Sequence, residues 1–269
     1  MGILDLLNGY DDIIRFLERQ EQLSNDLKAL YRASIAWKYE KPVDVGESGT
    51  LYRFLKFANW KLGLNKKFIL HGSLLKRKIC DNSKIINYSL EKLLKLDNRT
   101  SQWASAAVLF NNERKVKNPP HKLILTYKAI SHWKSQRVKG QSWKPRYDKT
   151  ILRQAEAFLK LVKKGKISFV PQQPEDYCFA RAFGLISKKE GESRWPSLRG
   201  HESDRIEEME EMLDYANKRK EINSKDHRVV QAIAMYQKKK NIDIKIKHPE
   251  AVNKSWPQFW KFLNNSPRF

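Results

Sequence analysis

The chain has 269 residues, 41% of them hydrophobic, and its 53 lysines and arginines against 30 acidic residues give a formal charge of +23. That length supports one large domain or two small ones with a proper core, and no apolar run approaches the roughly 20 residues of a membrane span. The charge directs the chain towards anions: phosphorylated metabolites, nucleic acid or an anionic surface.

The opening, MGILDLLNGYDD, lacks a basic n-region and a cleavage site, so no secretory leader is predicted. Tyr10, Ile13, Ile14 and Leu17 set the first helix. Leu51, Phe54, Leu55, Ala58 and Leu62 set a second, and Trp103, Ala106, Ala107 and Phe110 a third. Ile151, Ala155, Phe158 and Val162 follow, then Phe179, Ala182, Phe183 and Ile186, then Ile206, Met209 and Leu213. A last helix begins after Asp226, with Val229, Ala232, Ile233 and Tyr236 on one face. Between them, KFILHG (67–72), KLILTY (122–127), KISFV (166–170) and IDIKIK (242–247) read as strands. Strands alternating with helices predict an α/β fold. Cys80 and Cys178 have no metal spacing and no disulfide framework, which fits a reducing cytoplasm.

Short polar motifs stand before several helices: GESGTLYR, DNRTSQ, PEDYC, RGHESDR, KDHR and NKSWP. Ser, Thr and Asp are ordinary caps there. An arginine is not, because a cation is disfavoured at the positive end of a helix. Arg228, two residues after Asp226, makes sense beside an anion held by the free backbone N–H groups. A second feature is the segment 111–146, with ten lysines and arginines against one glutamate. Its Trp133, Lys134, Arg137 and Lys139 are candidates for contacting single-stranded nucleic acid by charge and stacking.

In order, VGESGTLYRFL, LHGSLLKRKI, DNRTSQWASAAVL, SWKPRYDKTI, PEDYCFARAFGLI, LRGHESDRIEEM, SKDHRVVQAIAM and HPEAVNKSWPQFWKFL are similar to motifs of the 5-enolpyruvylshikimate-3-phosphate synthase family. The early LLNGYDDIIRFLERQEQL also resembles that family's Asp-Asp helix. The resemblance implies an enolpyruvyl transferase-like α/β fold of βαβαββ repeats, an inside-out α/β barrel reduced in size. It implies two regions, 1–170 and 171–269. It implies a cytoplasmic carboxyvinyltransferase of the shikimate route to aromatic amino acids, using phosphoenolpyruvate and an anionic hydroxyl acceptor, with no cofactor, no metal and no membrane partner. The alternatives are a relative redirected to a nucleotide or nucleic-acid acceptor, and a non-catalytic anion-binding relative.

Residue by residue, the resemblance gives Asp176, Glu202 and His201 to the catalytic acid–base work. It gives Gly49, Lys78, Gln102, Arg205, Arg228 and Lys254 to phosphoenolpyruvate. Thr100, Ser101, Ser142 and Ser197 go to the acceptor. The departures are specific. The family's Lys-Ser-x-x-x-Arg motif has no copy here, His201 stands for a lysine, Ser197 for an asparagine, and Lys78 for an arginine, which loses the bidentate fork.

Overall fold

A computed structural model describes residues 1–39, 41–97, 100–111, 119–138, 149–199 and 204–267. The chain forms two compact units, Met1–Pro145 and Arg146–Phe269.

The first unit carries α1 (Gly2–Leu7), α2 (Asp12–Glu18), α3 (Asn25–Lys38), β1 (Val43–Asp44), α4 (Gly49–Lys61), β2 (Phe68–Ile69), α5 (Leu90–Leu93), α6 (Gln102–Asn111) and α7 (Ile124–Val138). Its centre is α4. Leu51 and Leu55 face a cluster with Ala29, Ala33 and Val43. Phe54 and Phe57 face a second with Trp103, Val108 and Leu123. A helix apolar on most sides is one enclosed by its neighbours. The two strands it connects are parallel, Val43 opposite Phe68 and Asp44 opposite Ile69.

The second unit carries α8 (Lys149–Lys164), α9 (Tyr177–Ala182), α10 (Lys188–Arg194), α11 (Arg205–Lys218), β3 (Glu221–Ile222), α12 (His227–Lys240), β4 (Lys245–Ile246) and α13 (Phe259–Asn265). Here α12 is central, with every residue from His227 to Met235 buried. It too joins two parallel strands, Glu221 opposite Lys245 and Ile222 opposite Ile246.

The two units repeat one plan. In each, a 14-residue helix (α3, α11) leads to a two-residue strand, a buried crossover helix, a parallel two-residue strand and a 3-10 segment, Gly72–Lys76 or Pro249–Lys254. Each crossover helix also ends at a left-handed residue, Gly63 at φ +64° and Asn241 at φ +51°. Such positions release the chain from the helix and suit Gly and Asn.

The expected inside-out α/β barrel of βαβαββ repeats is overturned. The described residues form two sheets of two strands each, 64% helix against 3% strand, with no barrel. Two strands cannot curl into a closed sheet. KLILTY, expected as a strand, is helical: Leu123 is buried while Leu125 is 52% exposed. A strand would have turned both to one face. KISFV is irregular, and only the KFILHG and IDIKIK runs contain strands.

Candidate functional site

The mouth of α4 is built from three segments of the first unit. Ser48 makes no side-chain capping bond there. Arg53, one turn into the helix, points back: its Nε donates to Asp97 Oδ2 at 2.7 Å, and its Nη1 donates to Gln102 Oε1 at 2.8 Å and to the Gly49 carbonyl at 3.3 Å. Gln102 in turn donates from Nε2 to Thr50 Oγ1 at 2.8 Å. Asp97 is enclosed as well, also accepting from Trp103 Nε1 at 2.8 Å and from the Cys80 N–H at 2.9 Å.

A second arginine comes from the turn after the 3-10 segment. Arg77 donates from Nη2 to Ser73 Oγ at 3.0 Å, and Ser73 Oγ donates to Glu47 at 2.9 Å. A Cβ added to Gly49 would stand 2.8 Å from Arg77 Nη1 and 2.9 Å from Arg53 Nη1. Two guanidinium groups therefore converge on the first residue of α4, where the helix itself is positive. Burial pulls the Arg53 guanidinium below its ordinary pKa; Asp97 opposes this, and the charge of Arg77 adds to it. An oxyanion at this mouth would meet helix N–H groups and forked donors together.

Beside it, at the carboxyl ends of β1 and β2, Asp44 accepts from Arg32 Nε at 2.9 Å and from the Gly46 N–H at 2.8 Å, and it lies 3.1 Å from His71 Nε2. Burial pushes the Asp44 carboxyl up, but the Gly46 N–H and the charge of Arg32, joined by His71 where its ring is protonated, outweigh it and leave the pKa below the ordinary value. A depressed carboxylate pKa supplies stability that is present at neutral pH and lost only as pH falls through the folded value. The difference in thermal midpoint between the wild type and Asp44→Asn should thus be full at pH 7 and fade below about pH 4. A difference that persists undiminished well below about pH 3 would contradict the placement.

In the second unit, Asp226 caps α12 by accepting from the Arg228 N–H at 2.8 Å, and its other oxygen accepts from Arg205 Nε at 2.8 Å. Ser224 accepts from the Asp226 N–H at 3.0 Å and donates onward to Glu208. Arg205, Asp226 and Arg228 are all buried. Lys254, half-buried, closes the 3-10 segment after β4, and its neighbour Ser255 accepts from Gln231 of α12 at 3.3 Å. The Cys178 thiol sits inside this cluster, and burial pushes its pKa up. Cys80 is only partly covered. A thiol reagent should modify Cys80 in the native protein and Cys178 only after unfolding; equal native rates would contradict this burial.

The structure brings Gly49 and Gln102 together, with Thr100 and Ser101 at the start of α6. Thr100 is buried, and its Oγ1 accepts from the Gln102 N–H at 3.4 Å. Lys78 is exposed, and it is the adjacent Arg77 that reaches Gly49. Asp176 has no exposed surface, and its carboxylate accepts four bonds, from the Gln172 and Gln173 N–H groups, Arg153 and Gln154. Three of these bonds reach Oδ2 and one reaches Oδ1, and together they hold the Pro174–Asp176 turn. Ser197 is half-buried in the Pro196–Leu198 turn. Trp133 is 8% exposed, donates from its indole to Asp5 Oδ1 at 2.7 Å and tilts against Tyr10. That position serves the core and leaves no open face for a base to stack on. Lys134 and Arg137 lie on α7. Ser142, Lys139, His201 and Glu202 lie outside the described residues.

Sequence reasoning left Arg53, Arg77 and Asp97 without roles, although the quoted motifs contain all three. Among the described residues, no group of His, Cys, Asp and Glu is placed to hold a metal, and no helix is long and apolar enough to cross a membrane. Compared with protein-family models, curated proteins and solved structures, the chain finds no match.

Proposed function

We propose that the chain binds a small phosphorylated carboxylic acid, phosphoenolpyruvate in the first instance, and transfers its carboxyvinyl group to a hydroxyl acceptor. The observation that carries the binding half is the convergence of Arg53 and Arg77 on Gly49 at the mouth of α4. The ordered motifs support the reaction half. In this reaction the methylene carbon gains a proton, the acceptor oxygen bonds to the adjacent carbon, and the tetrahedral adduct loses phosphate and a methyl proton. Charge develops on phosphate and carboxylate oxygens, which is where forked cations and helix N–H groups act. Proton transfer falls to the His71 imidazole, whose Nε2 lies 3.1 Å from Asp44.

A phosphate-release assay with phosphoenolpyruvate and a panel of hydroxyl acceptors tests this reading. One acceptor should give phosphate together with a product lengthened by the carboxyvinyl group. Shikimate-3-phosphate should give weak turnover or none, because the Lys-Ser-x-x-x-Arg motif is absent. Phosphate release without any coupled product would point to hydrolysis and overturn the transfer.

A further inference from the structure

The opposite end of α4 carries a surface that the anion site does not use. Thirteen residues of helix place it about 20 Å from the mouth. From Lys61 to Asn65 the chain, Lys-Leu-Gly-Leu-Asn, is exposed at every residue. Leu62 is 50% and Leu64 38% exposed, on either side of Gly63 with its left-handed φ. The turn after α3 lies alongside. Lys66 donates from Nζ to the Tyr39 carbonyl at 2.8 Å and lies 5.6 Å from the Trp37 ring centre, and the Val43 N–H donates to the Lys67 carbonyl at 2.8 Å. Tyr39 is 58% exposed. Segments 38–41 and 61–67 together hold five lysines against one glutamate.

We infer that this end of the first unit is a peripheral docking surface for an anionic lipid bilayer. Charge complementarity selects a polyanion: Lys41, Lys61 and Lys67 are exposed on these segments, and each lysine near an anionic leaflet adds attraction. The shape of the apolar part selects the bilayer over a nucleic acid. The tip is two leucines on a tight turn, whose methyl groups enter hydrocarbon, and the exposed Tyr39 beside them is the amphipathic ring type that sits at a headgroup boundary. The nearby Trp37 ring is already covered by the Lys66 ammonium. An aliphatic tip with exposed lysines beside it is the arrangement that seats at the headgroup boundary. The absence of a spanning helix does not bear on a contact of this kind.

Co-sedimentation of the full chain with vesicles tests the inference without reference to the anion site. The wild type should bind vesicles of phosphatidylcholine and phosphatidylserine and not phosphatidylcholine alone. Lys41→Ala, Lys61→Ala and Lys67→Ala together should weaken binding about 100-fold at low salt, at roughly fivefold per lysine. Leu62→Ser with Leu64→Ser should weaken it by about tenfold or more, with an unchanged thermal midpoint because both side chains are exposed. No binding of the wild type to the mixed vesicles overturns the proposal. So does an effect of the lysine variants with none from the leucine pair, or a preference for single-stranded RNA over vesicles, since either marks a general polyanion surface.

Discussion

Arg53→Met is expected to destabilise the first unit by about 3–5 kcal/mol, the usual cost of removing one partner of a buried ion pair. Both side chains of the Arg53–Asp97 pair are 5% exposed. Without the guanidinium, Asp97 keeps a buried charge served, among the described residues, by Trp103 and the Cys80 N–H, while Gln102 and the Gly49 carbonyl also lose a donor. Against a total stability of about 5–15 kcal/mol this is a large fraction. Adding Asp97→Asn should recover most of the loss. Asparagine is neutral and tolerates the left-handed backbone at position 97, where φ is +44°. Urea denaturation of the single and double variants measures both effects; a single variant within about 1 kcal/mol of wild type would mean that the pair is not buried as described.

Arg205→Met should have an effect of the same size in the second unit. Arg205 and Asp226 are enclosed at 4% and 1% side-chain exposure. Asp226 has two tasks at once, capping α12 through the Arg228 N–H and pairing with Arg205. Losing Arg205 leaves the cap in place but removes the guanidinium that serves the second oxygen of a buried carboxylate. Asp226→Asn in the same chain keeps a capping side chain and removes that charge, so it should recover stability. Failure of the double variant to recover would place the cost in lost packing of the arginine stem. Because Arg205 holds the fold, charge reversal there cannot separate a ligand role from a structural one.

Several of the quoted motifs fall at helix starts, and what joins them in space was not legible from them. A helix mouth was legible at Gly49 because a glycine followed by apolar residues at helical spacing starts a helix. Its chemistry was not legible, since Asp97 and Arg77 reach it across 48 and 28 positions of sequence. Lys78 was the expected cation; the turn after the 3-10 segment directs Arg77 inwards instead, and a one-residue offset cannot be read from composition. The KLILTY run failed for a related reason. Six apolar-rich residues fit a strand or a helix, and Leu123, Ile130 and Trp133 decide for the helix only when the neighbouring cluster is there to bury them. Asp176 shows the limit most plainly. A carboxylate beside a proline at a helix start reads equally as a catalyst or a lock, and only four bonds to its oxygens tell the two apart.

The most direct test of the account is calorimetric titration of phosphoenolpyruvate into the wild type and Arg77→Gln. Arg77 is half-buried and lies outside the buried Arg53–Asp97 pair, so its replacement by Gln should cost far less stability than Arg53→Met and leave the chain folded. A charge-assisted contact of about 1.5–3 kcal/mol corresponds to roughly a 10- to 100-fold weaker affinity. Saturable binding to the wild type is expected, weakened by that factor in a fully folded Arg77→Gln. Equal affinity in the two proteins, or no binding to the wild type, would contradict it.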